Sequence, residues 1–213
     1  MDLASALIIR DIAEEQDSVI LRADIVDIDW YNEDTLICGV YHGQVILVEI
    51  TTGRTNVIWS GNGWQTTVAE QGRVAMIEYY AETAIVDSSA VVTSDVGGSP
   101  AQLLTIFRKE YCAAPELSRG GDRIVLIRDF LFDPRLALVT VPGGIVTDAL
   151  ALHTADPYYL DDHLIIYVHL GDKSVGGTDQ IWIMNDDGSG MRRLLPNEAS
   201  GSMTSAESPL GRH

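Results

Sequence analysis

Basic residues are scarce in this chain of 213 residues: 14 stand against 31 acidic ones, for a net charge of −17. A surface of that sign repels phosphate backbones and anionic lipid, so nucleic acid and membrane surfaces are poor partners unless a basic patch forms locally. The sequence offers none, because Arg192-Arg193 and Arg108-Lys109 are isolated pairs. Cysteine is equally sparse. Cys38 and Cys112 are far apart and each lies beside apolar residues, which excludes a disulfide framework or a zinc ribbon and reads as two buried free thiols. Long apolar runs are missing too. The first ten residues, Met1 to Arg10, lack a basic leader, and their apolar stretch is too short for a signal or a membrane segment, so no export address or membrane insertion is expected of the chain as given. There is no G-x-S-x-G elbow, no H-E-x-x-H and no phosphate-cradling glycine loop, and the acidic residues are too scattered to nominate an acid/base pair. No catalytic residue, metal ligand or cofactor is assigned from sequence.

What the chain does have is a period. Gly53, Gly98, Gly143 and Gly188 are spaced 45 residues apart, each in a turn, and three of those turns follow clear apolar runs: Val45 to Val48, Leu136 to Val139 and Ile181 to Met184. Self-similarity at 40 to 50 residues marks a repeat architecture, and strand-turn-strand units at that period point to propeller blades. The best-formed unit has four β-rich segments, Ile25–Trp30, Thr35–Tyr41, Gln44–Ile50 and Thr55–Trp59, joined by turn residues. The fourth unit takes its first strand from Tyr158-Tyr159-Leu160. Leu7 to Ile20 overlays Val45 to Ile58 without a gap, so the chain opens in mid-blade with two outer strands. The fold class is all-β: a propeller of four-stranded antiparallel blades, incomplete, with four full blades and a partial one at each end. As one repeat domain over 1–213, its blades run over 1–22 (partial), 23–60, 61–106, 107–152, 153–197 and 198–213 (partial). Ser208 to His213 fills the positions that in the third unit lead directly into Ile124–Ile127, so the native polypeptide is expected to continue with an apolar strand.

The segment Gln180-Ile181-Trp182-Ile183-Met184-Asn185-Asp186-Asp187-Gly188-Ser189-Gly190-Met191-Arg192-Arg193-Leu194 resembles the TolB-type, WD-like β-propeller repeat, and Leu117 to Ile124, Val96 to Thr105 and Ser208 to Arg212 follow the same pattern more loosely. The resemblance implies a non-catalytic protein-binding or scaffold module of a bacterial envelope or secreted protein, and so a periplasmic or extracytoplasmic setting. One rival is the propeller of a prolyl-oligopeptidase-type serine peptidase without its hydrolase domain. Another is a lyase-like propeller with a metal in its channel.

Three aromatic residues near the inter-blade connections, Trp64, Tyr111 and Tyr158, are the candidate binding residues, because a propeller exposes loops at the mouth of its channel and aromatics are enriched in interface hot spots. The implied partner is a protein or peptide, of basic character if it answers the acidic surface. Asn185-Asp186-Asp187-Gly188 lacks the ligand spacing of a calcium loop and reads as a hairpin turn, and His163 and His169 read as rim residues.

Overall fold

Short apolar runs bounded by turn residues favour strands, and among the described residues they give eighteen. The computed structural model describes residues 6–11, 16–41, 43–61, 63–80, 88–172 and 177–194, and no helix occurs among the described residues. An opening pair, β1 (Ala6–Asp11) and β2 (Gln16–Arg22), is followed by four sheets of four antiparallel strands. The first blade is β3 (Ile25–Asn32), β4 (Thr35–Val40), β5 (Gln44–Glu49) and β6 (Thr55–Ser60). The second is β7 (Gly63–Val68), β8 (Arg73–Tyr80), β9 (Ser88–Asp95) and β10 (Gln102–Arg108). The third is β11 (Ala113–Leu117), β12 (Arg123–Arg128), β13 (Arg135–Thr140) and β14 (Val146–Leu152). The fourth is β15 (Thr154–Tyr159), β16 (Leu164–His169), β17 (Gln180–Asn185) and β18 (Arg192–Arg193). Within each blade the strands lie in chain order, so each is a simple meander. The partial blade expected over 198–213 lies outside the described residues.

The four periodic glycines all fall between third and fourth strands, with φ of +67°, +76°, +122° and +82°. A side chain at such a φ meets the backbone, which is why the period is carried by glycine. The opening pair is the outer half of a blade: a shift of 38 residues lays β1 on β5 residue for residue. Even the break in pairing register between Leu7 and Ile8 falls on the one between Val45 and Ile46.

The first three blades bury both faces against neighbours, so the second strand of each reads as a continuous apolar run. In β12, Ile124 and Leu126 pack on the second blade while Val125 and Ile127 pack on the fourth. One apolar cluster fills each successive interface, from the opening pair on the first blade to the third blade on the fourth. Cys38 and Cys112 are buried as free thiols in two of these clusters.

The fourth inner strand starts at Thr154, four residues ahead of the sequence reading. Asp156 adopts φ +45° and the pairing register shifts between Ala155 and Tyr158, so the strand bulges around Pro157 and continues. Ala114, at φ +48° before Pro115, does the same in β11.

Candidate functional site

The inner strands β3, β7 and β11 are joined by side chains, because neighbouring blades share no backbone ladder. On β3 two aspartates alternate along one side. The Thr66 N–H donates to Asp27 Oδ2 at 2.8 Å, and the Val68 N–H donates to Asp29 Oδ2 at 3.0 Å. On β7 the next pair of acceptors repeats the device: the Ala114 N–H donates to Gln65 Oε1 at 2.8 Å, and the Leu117 N–H to Thr67 Oγ1 at 3.3 Å. β3 thus supplies acceptors for the orphan N–H groups of β7, and β7 for those of β11, as buried backbone requires.

Register places Asp29, Thr67, Glu116 and Tyr158 at one level, opposite Ile37, Ala75, Val125 and Ile166 of their second strands. Carboxylates far apart in sequence therefore meet. The Thr67 hydroxyl donates to Asp29 Oδ2 at 3.2 Å and stands 3.5 Å from Glu116 Oε2. Burial pushes the Asp27 carboxyl up to about 6, its two backbone donors opposing the rise. Burial likewise raises Asp29, and it raises Glu116 well above the ordinary carboxylate range, with the charges of Asp29 and Asp27 adding to it. The acids line a strip without converging: no group of three or more side chains positioned to hold a metal ion occurs among the described residues.

At one end of the blades, the loops between second and third strands share a face with the connections that enter each blade. The Tyr41 N–H donates to Asp24 O, Phe130 N–H to Tyr111 O, and Thr154 N–H to Pro134 O. This face carries exposed aromatics. Tyr41 and Tyr80 flank the loops of the first two blades, and the third blade presents three consecutive apolar residues, Phe130, Leu131 and Phe132, at 49%, 55% and 83% exposure. The loop is well anchored. Asp129 takes φ +51°, its carbonyl accepts from the Phe132 and Asp133 N–H groups at 3.0 and 3.1 Å, and each end is tied to a neighbouring connection. Its base is braced by Arg128, which donates to both Glu110 carboxylate oxygens at 2.7 Å, pairs with Asp148, and stacks 4.6 Å over the Phe107 ring. Lysine lacks the planar fork, so Arg128→Lys is expected to cost about 1–2 kcal/mol in chemical denaturation. An unchanged midpoint would show that the brace contributes nothing.

The opposite face is stitched turn to turn. Arg73 donates to Gly121 O at 2.6 Å, Gly120 N–H to Asp162 at 2.6 Å, Arg119 pairs with Glu70 at 3.0 Å, and Arg123 pairs with Asp186. His163 joins that last pair, its Nδ1 lying 3.1 Å from Asp186 Oδ2, while His169 tilts against Trp182.

The three aromatics named from sequence are not brought together. Tyr111 lies just ahead of β11, half-buried, with its ring 5.8 Å from that of Tyr79. Trp64 is the second residue of β7, and its side chain lies outside the described residues. Tyr158 is the fifth residue of β15, toward the far end of the inner strand and level with Glu116. The exposed apolar tip at 130–132 went unread in the sequence. Its signal was an apolar triplet between Asp129 and Asp133-Pro134, in a place where a blade needs only a polar turn.

No protein-family model matches the sequence, and no curated protein matches it. Solved structures do. The chain superposes on TolB from Acinetobacter baumannii with a TM-score of 0.68 at 16% identity, covering 92% of this chain and 50% of that one. Against a putative TolB from Agrobacterium tumefaciens the TM-score is 0.66 at 17% identity, covering 91% and 70%. Against an oligogalacturonate lyase in complex with manganese it is 0.67 at 12% identity, covering 89% and 58%. The chain therefore spans only half of the first of these proteins. At such identities the likeness speaks for the fold, and it speaks plainly: this chain has the TolB-type β-propeller fold.

Proposed function

We propose that this protein is a non-catalytic, protein-binding propeller module that engages its partner through the loop face of the second and third blades. One observation carries the reading: three consecutive large apolar residues, Phe130 to Phe132, are held in water on an anchored loop. A run of that kind is disfavoured on a free surface and is characteristic of an interface anchor. Asp129 and Asp133 flank it and the whole chain is strongly acidic, so the matching surface is an apolar pocket with a basic rim. Tyr111 belongs to an entry connection of that face, Trp64 stands at the start of β7, and Tyr158 belongs to the inner row. The likeness to two TolB structures supports a scaffold role and an envelope or secreted setting.

The test is affinity capture with the wild type and with Phe132→Asp at two salt concentrations. Phe132 is exposed, so the variant should keep its melting temperature within about 2 °C. It should lose its partner, and added salt should weaken wild-type capture. Equal capture by both proteins overturns the reading.

A further inference from the structure

Three carboxylates share the seam between the first three inner strands, and they are not equally provided for. Asp27 accepts two backbone N–H groups, from Thr66 at 2.8 Å and Ile28 at 3.0 Å. Asp29 accepts from the Trp30 N–H at 2.7 Å, the Val68 N–H at 3.0 Å and the Thr67 hydroxyl at 3.2 Å. Glu116 has no backbone donor among the described residues, and Thr67 Oγ1, 3.5 Å from its Oε2, is its one hydrogen-bonding contact there. Gln65, the other polar residue on that side of β7, is occupied by the Ala114 N–H, and Tyr158 of β15 stands level with Glu116, two residues beyond Asp156. The charges bearing on Glu116 are those of Asp29 and Asp27, both negative.

Counting protons shows which acid is short of one. A threonine hydroxyl has one proton to give and two lone pairs to accept with. Thr67 gives its proton to Asp29 Oδ2 and accepts from the Leu117 N–H at 3.3 Å, so its second lone pair is left to Glu116. A carboxylate at that place sets lone pair against lone pair, whereas a carboxylic acid supplies the missing donor. Turning the Thr67 proton toward a charged Glu116 only moves the deficit to Asp29. Protonating Asp27 or Asp29 instead would weaken bonds already made to backbone N–H groups. A proton on Glu116 completes the network, and a buried network is worth most when complete.

We propose that Glu116 is a proton-binding site whose proton locks the first three blades together through Thr67, a switch separate from the loop-face binding already described. In the locked form the Glu116 O–H donates to Thr67 Oγ1 and the Thr67 O–H donates to Asp29 Oδ2. The Leu117 and Val68 N–H groups donate to the same two acceptors, so β3, β7 and β11 meet at one hydroxyl. Release of the proton to water leaves one donor fewer and one more negative charge beside Asp29 and Asp27, and the seam between β7 and β11 loosens. Burial and those two charges raise the proton affinity of Glu116, so the lock is present at low pH and is lost as the pH rises through the folded-state titration.

The test is a carbon-13 NMR titration of the side-chain carboxyls in the full chain, with Glu116 assigned through bonds from its own backbone amide. Its carboxyl should titrate above the ordinary glutamate range. Thr67→Val then separates the lock from burial alone. Valine makes the surroundings more apolar, which by itself raises the proton affinity of Glu116, but it removes the acceptor for the Glu116 O–H, and the net expected result is a fall of about tenfold. Opening at the Leu117 amide, measured by hydrogen exchange relative to its intrinsic rate, should grow about tenfold in the wild type as the pH is raised through that titration. Glu116→Gln, which carries no charge at any pH, should abolish that growth. A Glu116 carboxyl that titrates in the ordinary range overturns the proposal. So does a proton affinity that rises or stays unchanged in Thr67→Val, or Leu117 opening that follows pH equally in the wild type and Glu116→Gln. Phe132→Asp should leave the titration untouched, so failure here and failure at the loop face are read separately.

Discussion

Gly144→Ala is expected to lower the melting temperature of this protein by about 10 °C. Gly144 sits in the turn between β13 and β14 at φ +63°, where any side chain is strained. A Cβ added there would lie 2.7 Å from the carbonyl carbon of Leu104 and closer still to its oxygen, and Leu104 is backbone of the preceding blade. Backbone cannot rotate away as a side chain can, so two stacked sheets must separate. Overpacking and positive-φ strain together amount to about 2–4 kcal/mol. The neighbouring Gly143→Ala is the control, because its φ of +122° is also strained but its nearest neighbour is the Thr140 hydroxyl at 3.9 Å. It should cost clearly less. Equal melting shifts for the two variants would sink the argument from inter-blade contact.

Glu116→Gln should act in the opposite direction. Burial, and then the charges of Asp29 and Asp27, raise the proton affinity of the Glu116 carboxyl well above the ordinary range, so its charged form is disfavoured in the folded protein. The amide keeps an oxygen toward Thr67 and carries no charge, so the melting temperature at pH 8 should rise by roughly 5 °C. The pH dependence follows from linkage. A carboxyl with raised affinity binds more protons folded than unfolded, so its penalty is absent in acid and grows as pH rises. For Asp27 that window runs from its ordinary value of 3.8 up to about 6. Wild-type stability should therefore be greater near pH 5 than near pH 8, and the advantage of Glu116→Gln should shrink as the pH falls. A stabilisation independent of pH, or a loss of stability at pH 8, would show that the surroundings of Glu116 do not disfavour its charge.

Most of the architecture could be read from the residues themselves. Strand runs such as Arg123–Arg128 and Leu136–Val139 are apolar on both faces because their blade is sandwiched, and that leaves an uninterrupted signature in one dimension. The period survives in glycine because positive φ between third and fourth strands is a local demand, independent of which blade lies next door. The overlay of Leu7 to Ile20 on Val45 to Ile58 likewise holds to the register break, since a hairpin's pairing is set by its own turn and its own side chains.

Tertiary structure alone decided which polar residues meet. Asp29 and Glu116 are far apart in the chain, and nothing local in either segment marks the other. Only the stacking of blades places them on either side of Thr67, where low polarity changes their proton affinity. The bulges at Asp156-Pro157 and Ala114-Pro115 belong to the same class: proline signals a break locally, and the strand continues because it pairs with β16 or β12. The aromatic at 111 was legible as a residue at a blade entry, but its contact with Tyr79 removes much of it from solvent. Phe130 to Phe132 remain in water because the anchoring bonds to Tyr111 and Thr154 come from connections distant in sequence. Local sequence thus set strands, turns and period, which depend on near neighbours. The acid row and the apolar tip arise from blade-to-blade contacts, and these exist only once the sheets are stacked.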